Sequence, residues 1–170
     1  MNNKVLQGHF YNPSKGDLKL EGVVNELFNY MSEKTDKFYD IIVGCDSSSG
    51  LEPCFPLVIV ILRKGEGGRF FLKRIKYPDK KFHNLHQRIL EEVLLSCELA
   101  LCLRENLTKQ SNKVSDLLNY EFRYIHADIG ENGATRDMIK EVTGLIRGNG
   151  FEPKIKPEAY AASVVADRYA

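Results

Sequence analysis

The sequence predicts an α/β protein with a mixed five-stranded sheet and flanking helices. Three apolar runs rich in β-branched and aromatic residues, FYDIIVGC, FPLVIVILRK and RFFLKRIKYP, are separated by short stretches that favour turns, so they predict antiparallel neighbours. Two more strand patterns, FRYIHADIG and FEPKIKP, alternate with helical patterns further along the chain. The predicted order is one helix followed by β-β-β-α-β-α-β-α, which is typical of a mixed sheet with helices packed against it.

The segment before the first strand predicts a helix of its own. LEGVVNELFNYMSEK places Val23, Leu27 and either Tyr30 or Met31 on one side at helical spacing. We therefore expect residues 1–36 to form an N-terminal helical extension. No linker or internal repeat divides the sequence, so residues 1–170 are predicted to form one domain.

Three further helices are predicted after the strand meander. The long amphipathic segment NLHQRILEEVLLSCELALCLREN forms the first, and TRDMIKEVTGLIRGNG, which stops at glycine, forms the second. EAYAASVVADRYA forms the last helix, after Pro157. FEPKIKP lies between the last two helices and is predicted to be a short edge strand, because its two prolines exclude a central position.

Composition and charge indicate an ordinary globular protein. The chain has 43% hydrophobic and 28% charged residues with a formal net charge of +1, so its total charge does not by itself indicate a polyanion partner. The start of the sequence has no apolar signal-peptide core, and no window approaches the roughly 18 apolar residues that a membrane span needs. These two absences predict no membrane partner. The four cysteines lie inside or beside apolar runs and form no C-x-x-C pair, which predicts reduced thiols and a cytoplasmic location.

Two aspartates follow predicted strands at matching positions. Asp46 ends the first strand, in IIVGCDSSSG, and Asp128 ends the fourth, in YIHADIG. Either aspartate alone is typical of a turn, because Asp often hydrogen-bonds its own backbone after a strand. Functional residues of α/β proteins gather at the carboxyl ends of strands, and two aspartates at matching ends favour a site.

The long helix adds a third candidate carboxylate. Helical spacing puts Glu92 on a face with Leu99 and Leu103, which favours packing, whereas Glu91 shares a face with Glu98. We therefore expect Glu92 to point inward and Glu91 to be a surface charge.

Asp167 on the last helix is a fourth candidate. It shares a face with Tyr160, Ser163 and Val164, so the pattern indicates either a salt-bridged or functional carboxylate on a packing face, or a face left exposed near the chain end. Carboxylates that converge in one cleft repel each other, and a hard divalent cation such as Mg²⁺ offsets that repulsion.

Longer motifs carry a specific resemblance. HNLHQRI, HADIGENGATRDMIKEV and IKPEAYAASVVADRY resemble the YkuK-type family of ribonuclease H-like proteins, and the resemblance extends from about the opening helix onward. It implies the ribonuclease H-like fold and a metal-dependent nuclease that uses one or two Mg²⁺ or Mn²⁺ ions. Carried over by position, it implies that Asp46 bridges two metals, that Glu92 and Asp128 complete the ligands, and that Asp167 holds the second metal.

A basic segment precedes the helix that carries Glu92. KRIKYPDKKFHNLHQR has six basic side chains and one aspartate, a local excess of +5, with two aromatic residues interleaved. This pattern suits a nucleic-acid backbone and stacked bases, and it is also typical of a solvated loop. The six candidate nucleic-acid contacts are Lys73, Arg74, Lys76, Lys80, Lys81 and Arg88.

Two histidines are candidates for a supporting role beside the carboxylates. His86 falls on the core stripe at the start of the long helix, which favours a buried, hydrogen-bonded ring. His126 shares a strand face with Asp128, two residues away, so it is expected next to the metal ligands.

The sequence thus leaves two hypotheses about function. One is a nuclease that hydrolyses phosphodiester bonds of RNA, DNA or an RNA/DNA hybrid through Asp46, Glu92, Asp128 and Asp167. The alternative is a non-catalytic ribonuclease H-like module that binds nucleic acid or a protein partner through the basic segment.

Overall fold

The protein is described by a computed structural model that covers residues 4–113 and 117–166. Seven strands form one mixed sheet in the order β2-β1-β5-β4-β3-β6-β7. The strands are β1 (Phe10–Asn12), β2 (Gly16–Leu18), β3 (Phe38–Cys45), β4 (Phe55–Arg63), β5 (Gly67–Ile75), β6 (Asn119–Ala127) and β7 (Glu152–Lys154). The helices are α1 (Leu20–Glu33), α2 (Leu85–Ser111), a 3₁₀ turn (Arg136–Met138), α3 (Ile139–Gly148) and a π-helical segment (Ala161–Ala166).

The expected mixed α/β architecture is confirmed, but the expected number of five strands is wrong. Two strands, β1 and β2, lie in the segment that we expected to be helical only, before α1. Each has three residues, too few for an alternating pattern to show in the sequence. Asn12 forms the turn between them, because its side-chain oxygen accepts the backbone N–H groups of Ser14 and Lys15, both at 2.9 Å.

The central strand β3 determines how the site is assembled. It runs antiparallel to β4 and parallel to β6, with Cys45 opposite Ala127 at the carboxyl ends of β3 and β6. The pairing shifts register between Ile41 and Ile42, where β6 has one extra residue. As a result, the residues that follow Cys45 and Ala127 leave the sheet at the same level.

Both faces of the sheet are buried. The larger core lies on one face and includes alternate residues of β3, among them Tyr39, Ile41 and Val43, together with residues of α1, α2 and α3. The intervening Ile42 lies on the opposite face in a smaller cluster with residues of β4 and of the C-terminal π-helical segment. A nearly continuous apolar strand is the expected sequence of a strand that is covered on both sides.

Helix α2 crosses the larger core and carries one buried acidic side chain, Glu92. Asn84 caps its start, since the side-chain oxygen of Asn84 accepts the backbone N–H of Gln87 at 2.9 Å. No helix in the described part of the chain is long and apolar enough to cross a membrane. The four cysteines are free thiols, of which Cys45 and Cys97 are buried in the core.

Candidate active site

Asp46 and Asp128 lie side by side at the carboxyl ends of the inner strands β3 and β6. They directly follow Cys45 and Ala127, which are paired across the parallel strands β3 and β6. Asp46 is buried, with 8% of its surface exposed, and its backbone N–H still bonds to the Pro56 carbonyl of β4 at 3.4 Å. A strand end held by a neighbouring strand is a rigid support for a carboxylate.

The Glu92 side chain reaches the same end of the sheet from α2. Its Oε1 accepts the backbone N–H of Ser47 at 2.8 Å and the Ser47 hydroxyl at 2.5 Å. Since Ser47 directly follows Asp46, these bonds hold the Glu92 carboxylate close to Asp46. Ser47 is not among the predicted site residues, although it directly follows Asp46 in the sequence.

The three carboxylates share one electrostatic environment. The pKa of Glu92 is raised to about 8, mainly by burial and also by the negative charges of Asp46 and Asp128, against the two hydrogen bonds from Ser47. The Glu92 carboxyl group therefore takes up a proton near neutral pH unless a positive charge joins the group.

Asp128 has a positive partner of its own. The Lys156 ammonium lies 3.2 Å from Asp128 Oδ1, an oxygen that is buried and accepts no hydrogen bond from the described residues. Lys156 comes from the segment after β7, and its backbone N–H donates to the Ile129 carbonyl at 2.8 Å. Lys156 is not among the predicted site residues, because it is distant in sequence from Asp128.

The carboxylates of Asp46, Glu92 and Asp128 are chemically suited to a hard divalent cation, although their side chains are not arranged around one common ion position. Carboxylate oxygens are the ligands that Mg²⁺ and Mn²⁺ prefer, and the buried Oδ1 of Asp128 has an unused acceptor. Within residues 4–113 and 117–166, no group of three or more His, Cys, Asp or Glu side chains is placed to hold one ion. Glu92 and Asp128 face Ser47 and Lys156 instead.

Comparisons with known proteins agree with this architecture. A family profile described as Ribonuclease H-like matches residues 22–170. The chain belongs to the ribonuclease H-like family. It is 30% identical over 169 residues to the uncharacterized protein YkuK of Bacillus subtilis (strain 168), and the match covers 94% of this chain and 95% of YkuK. No solved structure matches it. The expected YkuK-type membership is therefore confirmed.

The fourth candidate site residue of this ribonuclease H-like protein, Asp167, lies outside the described residues. The π-helical segment that precedes it is tied to the sheet by His126, whose Nδ1 accepts the backbone N–H of Ala161 at 3.1 Å. The ring of Tyr160 packs edge-on against the imidazole, with ring centres 4.7 Å apart.

His126 has a structural role in the described residues. It is 1% exposed, and burial lowers the pKa of its imidazole to about 4, so the ring is neutral at pH 7. A neutral ring can accept the Ala161 N–H at Nδ1, whereas a protonated ring cannot. His126 therefore supports the site by holding the C-terminal segment against the sheet.

His86 is placed differently from the expectation. It lies exposed at the start of α2, and its Nε2 lies 3.0 Å from Glu141 of α3. In the first turn of α2, Leu85 is partly buried against the core, and the fully buried stripe begins at Ile89. Direct contact between His86 and the carboxylates is not part of this arrangement.

The basic segment divides into surface and internal residues. Lys73 is 8% exposed and donates to the Val5 carbonyl at 3.0 Å, so it lies beneath the N-terminal segment and not on the expected nucleic-acid surface. Arg88 is partly buried and donates to the Ser48 carbonyl at 3.0 Å, which supports the loop after Asp46. The remaining four, Arg74, Lys76, Lys80 and Lys81, are exposed.

Proposed function

We propose that this protein is a metal-dependent nuclease that hydrolyses phosphodiester bonds of RNA, DNA or an RNA/DNA hybrid. The observation that carries the proposal is the convergence of Asp46, Glu92 and Asp128 at the carboxyl ends of β3 and β6. The two aspartates lie close enough to Glu92 for their charges to raise its pKa. Buried carboxylates with strongly shifted pKa values are concentrated at functional sites. Membership of the ribonuclease H-like family supports the same reading.

Mg²⁺ or Mn²⁺ would be held by Asp46, Glu92 and Asp128, with Asp167 as a fourth ligand by position in the family. When bound, such an ion activates water and stabilises the leaving oxygen in phosphodiester cleavage. The chain's own contribution is orientation. Ser47 holds the Glu92 carboxylate beside Asp46, and Arg88 holds the loop that follows.

The exposed part of the basic segment supports a polyanionic substrate. Arg74 lies near the end of β5, Lys76, Lys80 and Lys81 lie between β5 and α2, and the segment leads into the helix that carries Glu92. Lys80 also lies 3.4 Å from Glu91, so part of its charge is already compensated. We propose that the four side chains contact substrate phosphates.

The second candidate is a non-catalytic ribonuclease H-like module that binds nucleic acid or a protein partner. One observation favours it, namely that no three acidic, histidine or cysteine side chains in the described ranges are placed to hold one ion. The same basic surface would then serve binding alone.

Cleavage and binding assays on Asp46→Asn separate the two candidates. Wild-type protein is incubated with labelled single-stranded RNA, DNA and an RNA/DNA hybrid, with Mg²⁺ or Mn²⁺ and with a chelator. The nuclease proposal expects ion-dependent cleavage that Asp46→Asn abolishes while nucleic-acid binding is retained. Asp17→Asn, on exposed strand β2, is the matched control and should cleave like the wild type. Binding without cleavage by the wild type would favour the non-catalytic module.

A further inference from the structure

The Lys156 side chain is directed to Asp128 by its backbone. The Lys156 N–H bonds to the Ile129 carbonyl at 2.8 Å, which fixes the chain immediately beside the loop after β6. That loop approaches so closely that a Cβ added to Gly130 would lie 3.0 Å from Lys156 Cβ. The absence of a side chain at Gly130 thus allows Lys156 to lie against this loop.

The contact places a positive charge on the acceptor that a divalent cation would use. The ammonium lies 3.2 Å from Asp128 Oδ1, and this oxygen is buried and receives no hydrogen bond from the described part of the chain. The ammonium therefore contacts Oδ1 as a nearby charge without forming a well-directed hydrogen bond. About half of the Lys156 side chain remains exposed, so it can leave the carboxylate at little packing cost.

We propose that Lys156 is an internal competitor for the divalent cation, holding Asp128 until the cation displaces the ammonium. The inference rests on the proposed function, because it takes Asp46, Glu92 and Asp128 as the cation's ligands. It assigns Lys156 a positioning role that lowers the affinity for the cation and compensates the negative charge of Asp128 before the cation binds. Displacement frees the ammonium beside a cavity of about 530 Å³ lined in part by Gly130, Asn132 and Pro157.

The competing interpretation is an ordinary surface ion pair, which contributes little to stability and does not affect cation binding. Lys154 provides the comparison inside the same segment. It lies two residues before Lys156, and its ammonium lies 4.3 Å from the centre of the Tyr124 ring. A general effect of positive charge in this segment would act through Lys154 as well as through Lys156.

Calorimetric titration of Mn²⁺ into the full chain tests the proposal. Lys156→Met removes the charge without adding an oxygen ligand, and we expect it to tighten Mn²⁺ binding by roughly ten-fold, as expected from removing one like charge a few ångströms from a divalent ion. Lys156→Arg keeps the charge and should bind like the wild type. Lys154→Met should change the affinity less than two-fold.

Unchanged or weaker Mn²⁺ binding in Lys156→Met, with a normal thermal melt, would overturn the proposal, as would equal tightening in Lys154→Met. If the wild type binds no Mn²⁺, Lys156→Met must bind it or the proposal fails. The nuclease assay is a separate readout. Tighter Mn²⁺ binding in Lys156→Met without any cleavage by the wild type would retain this inference and reject the nuclease. Cleavage with unaltered Mn²⁺ affinity would do the reverse.

Discussion

Glu92 Oε1 accepts two hydrogen bonds from one residue, from the Ser47 backbone N–H at 2.8 Å and from the Ser47 hydroxyl at 2.5 Å. Both bonds favour the ionised carboxylate and act against burial, which is the main reason that the Glu92 pKa is raised to about 8. Ser47 thereby extends to lower pH the range in which the Glu92 carboxylate is charged.

The first prediction concerns Ser47→Ala. Loss of the hydroxyl removes one bond to the ionised form, so the Glu92 pKa should rise further. We expect the pH midpoint of Mn²⁺ binding to move upward by about one unit. Calorimetric titrations between pH 6 and 9 measure this shift. Ser49→Ala, at an exposed position of the same loop, is the control, and an equal midpoint in both variants would contradict the role of Ser47.

The second prediction concerns stability and Glu92→Gln. The Glu92 pKa rises from its ordinary 4.5 to about 8 on folding, so between these values the folded protein holds a proton that the unfolded chain has released. Stability from this group is therefore present below pH 4.5 and is lost as the pH rises to about 8. Without added divalent ions, Glu92→Gln should stabilise the fold at pH 8 by on the order of a few kcal/mol.

Scanning calorimetry at pH 5 and pH 8 checks this prediction. The midpoint of thermal unfolding should rise in Glu92→Gln at pH 8 and change much less at pH 5. Glu105→Gln on the exposed side of α2 serves as the control and should not alter either midpoint. A destabilised Glu92→Gln at pH 8 would show that the carboxylate is ionised and well compensated in the folded protein.

The third prediction concerns acid and His126. Burial lowers the pKa of the imidazole from 6.5 to about 4, so between these values the unfolded chain binds a proton that the folded protein does not. The contribution of His126 to the free energy of unfolding should decline by on the order of 3 kcal/mol as the pH falls through this window. His126→Gln keeps an acceptor for the Ala161 N–H without titrating, and should remove this decline.

Urea denaturation at pH 7 and pH 4.5 measures the difference between variant and wild type, which cancels the opposite contribution of Glu92. His83→Gln, at an exposed position before α2, is the control. Equal loss of stability in the wild type and His126→Gln would mean that the ring is protonated in the fold.

The fourth prediction compares two glycines. A Cβ at Gly68 would lie 2.2 Å from the Ile61 carbonyl oxygen and 2.8 Å from Leu62 Cδ2, so Gly68→Ala must displace the backbone of β4 or β5. We expect a loss of about 2 to 4 kcal/mol in the free energy of unfolding. Gly144 in α3 has open space around its Cβ position, and Gly144→Ala should stabilise the helix by up to about 1 kcal/mol. Urea denaturation of both variants measures the contrast, and similar effects would contradict this packing.

The order of elements from β3 onward could be predicted from the sequence because most of these elements are long enough to show their periodicity, and the three-residue strand β7 lies between two helical patterns. Glu92 could be predicted to point inward because leucines share its face of α2. Glu91, expected to be a surface charge, is instead only 14% exposed and accepts a hydrogen bond from the Tyr77 hydroxyl. The strands β1 and β2 could not be predicted, since each has three residues, β2 pairs with β1, and β1 depends on long-range pairing with β5, where Tyr11 lies opposite Leu72.

Contacts made by distant segments account for the other differences. The alternation of basic and apolar residues around Lys73 is typical of a solvated strand face, and only the fold shows that the N-terminal segment covers it at Val5. Lys156 and Asp128 are likewise joined by the parallel pairing of β6 and β7, which no local pattern reveals. Local patterns indicated the candidate carboxylates, while tertiary structure determines which side chains lie beside them.

The short strands at the two margins of the sheet affect how the protein behaves at high concentration. β4, β5 and β6 each have nine residues, and an exposed ladder of that length is a template for pairing with another molecule. Each lies inside the sheet, and the outermost strands are β2 and β7, with three residues each. β7 also contains Pro153, which has no N–H to donate. The sheet therefore offers a shorter template for edge-to-edge aggregation than bare β5 and β6 would, because the hairpin before α1 covers β5 around Leu72 and β7 covers β6 from Tyr124 to His126.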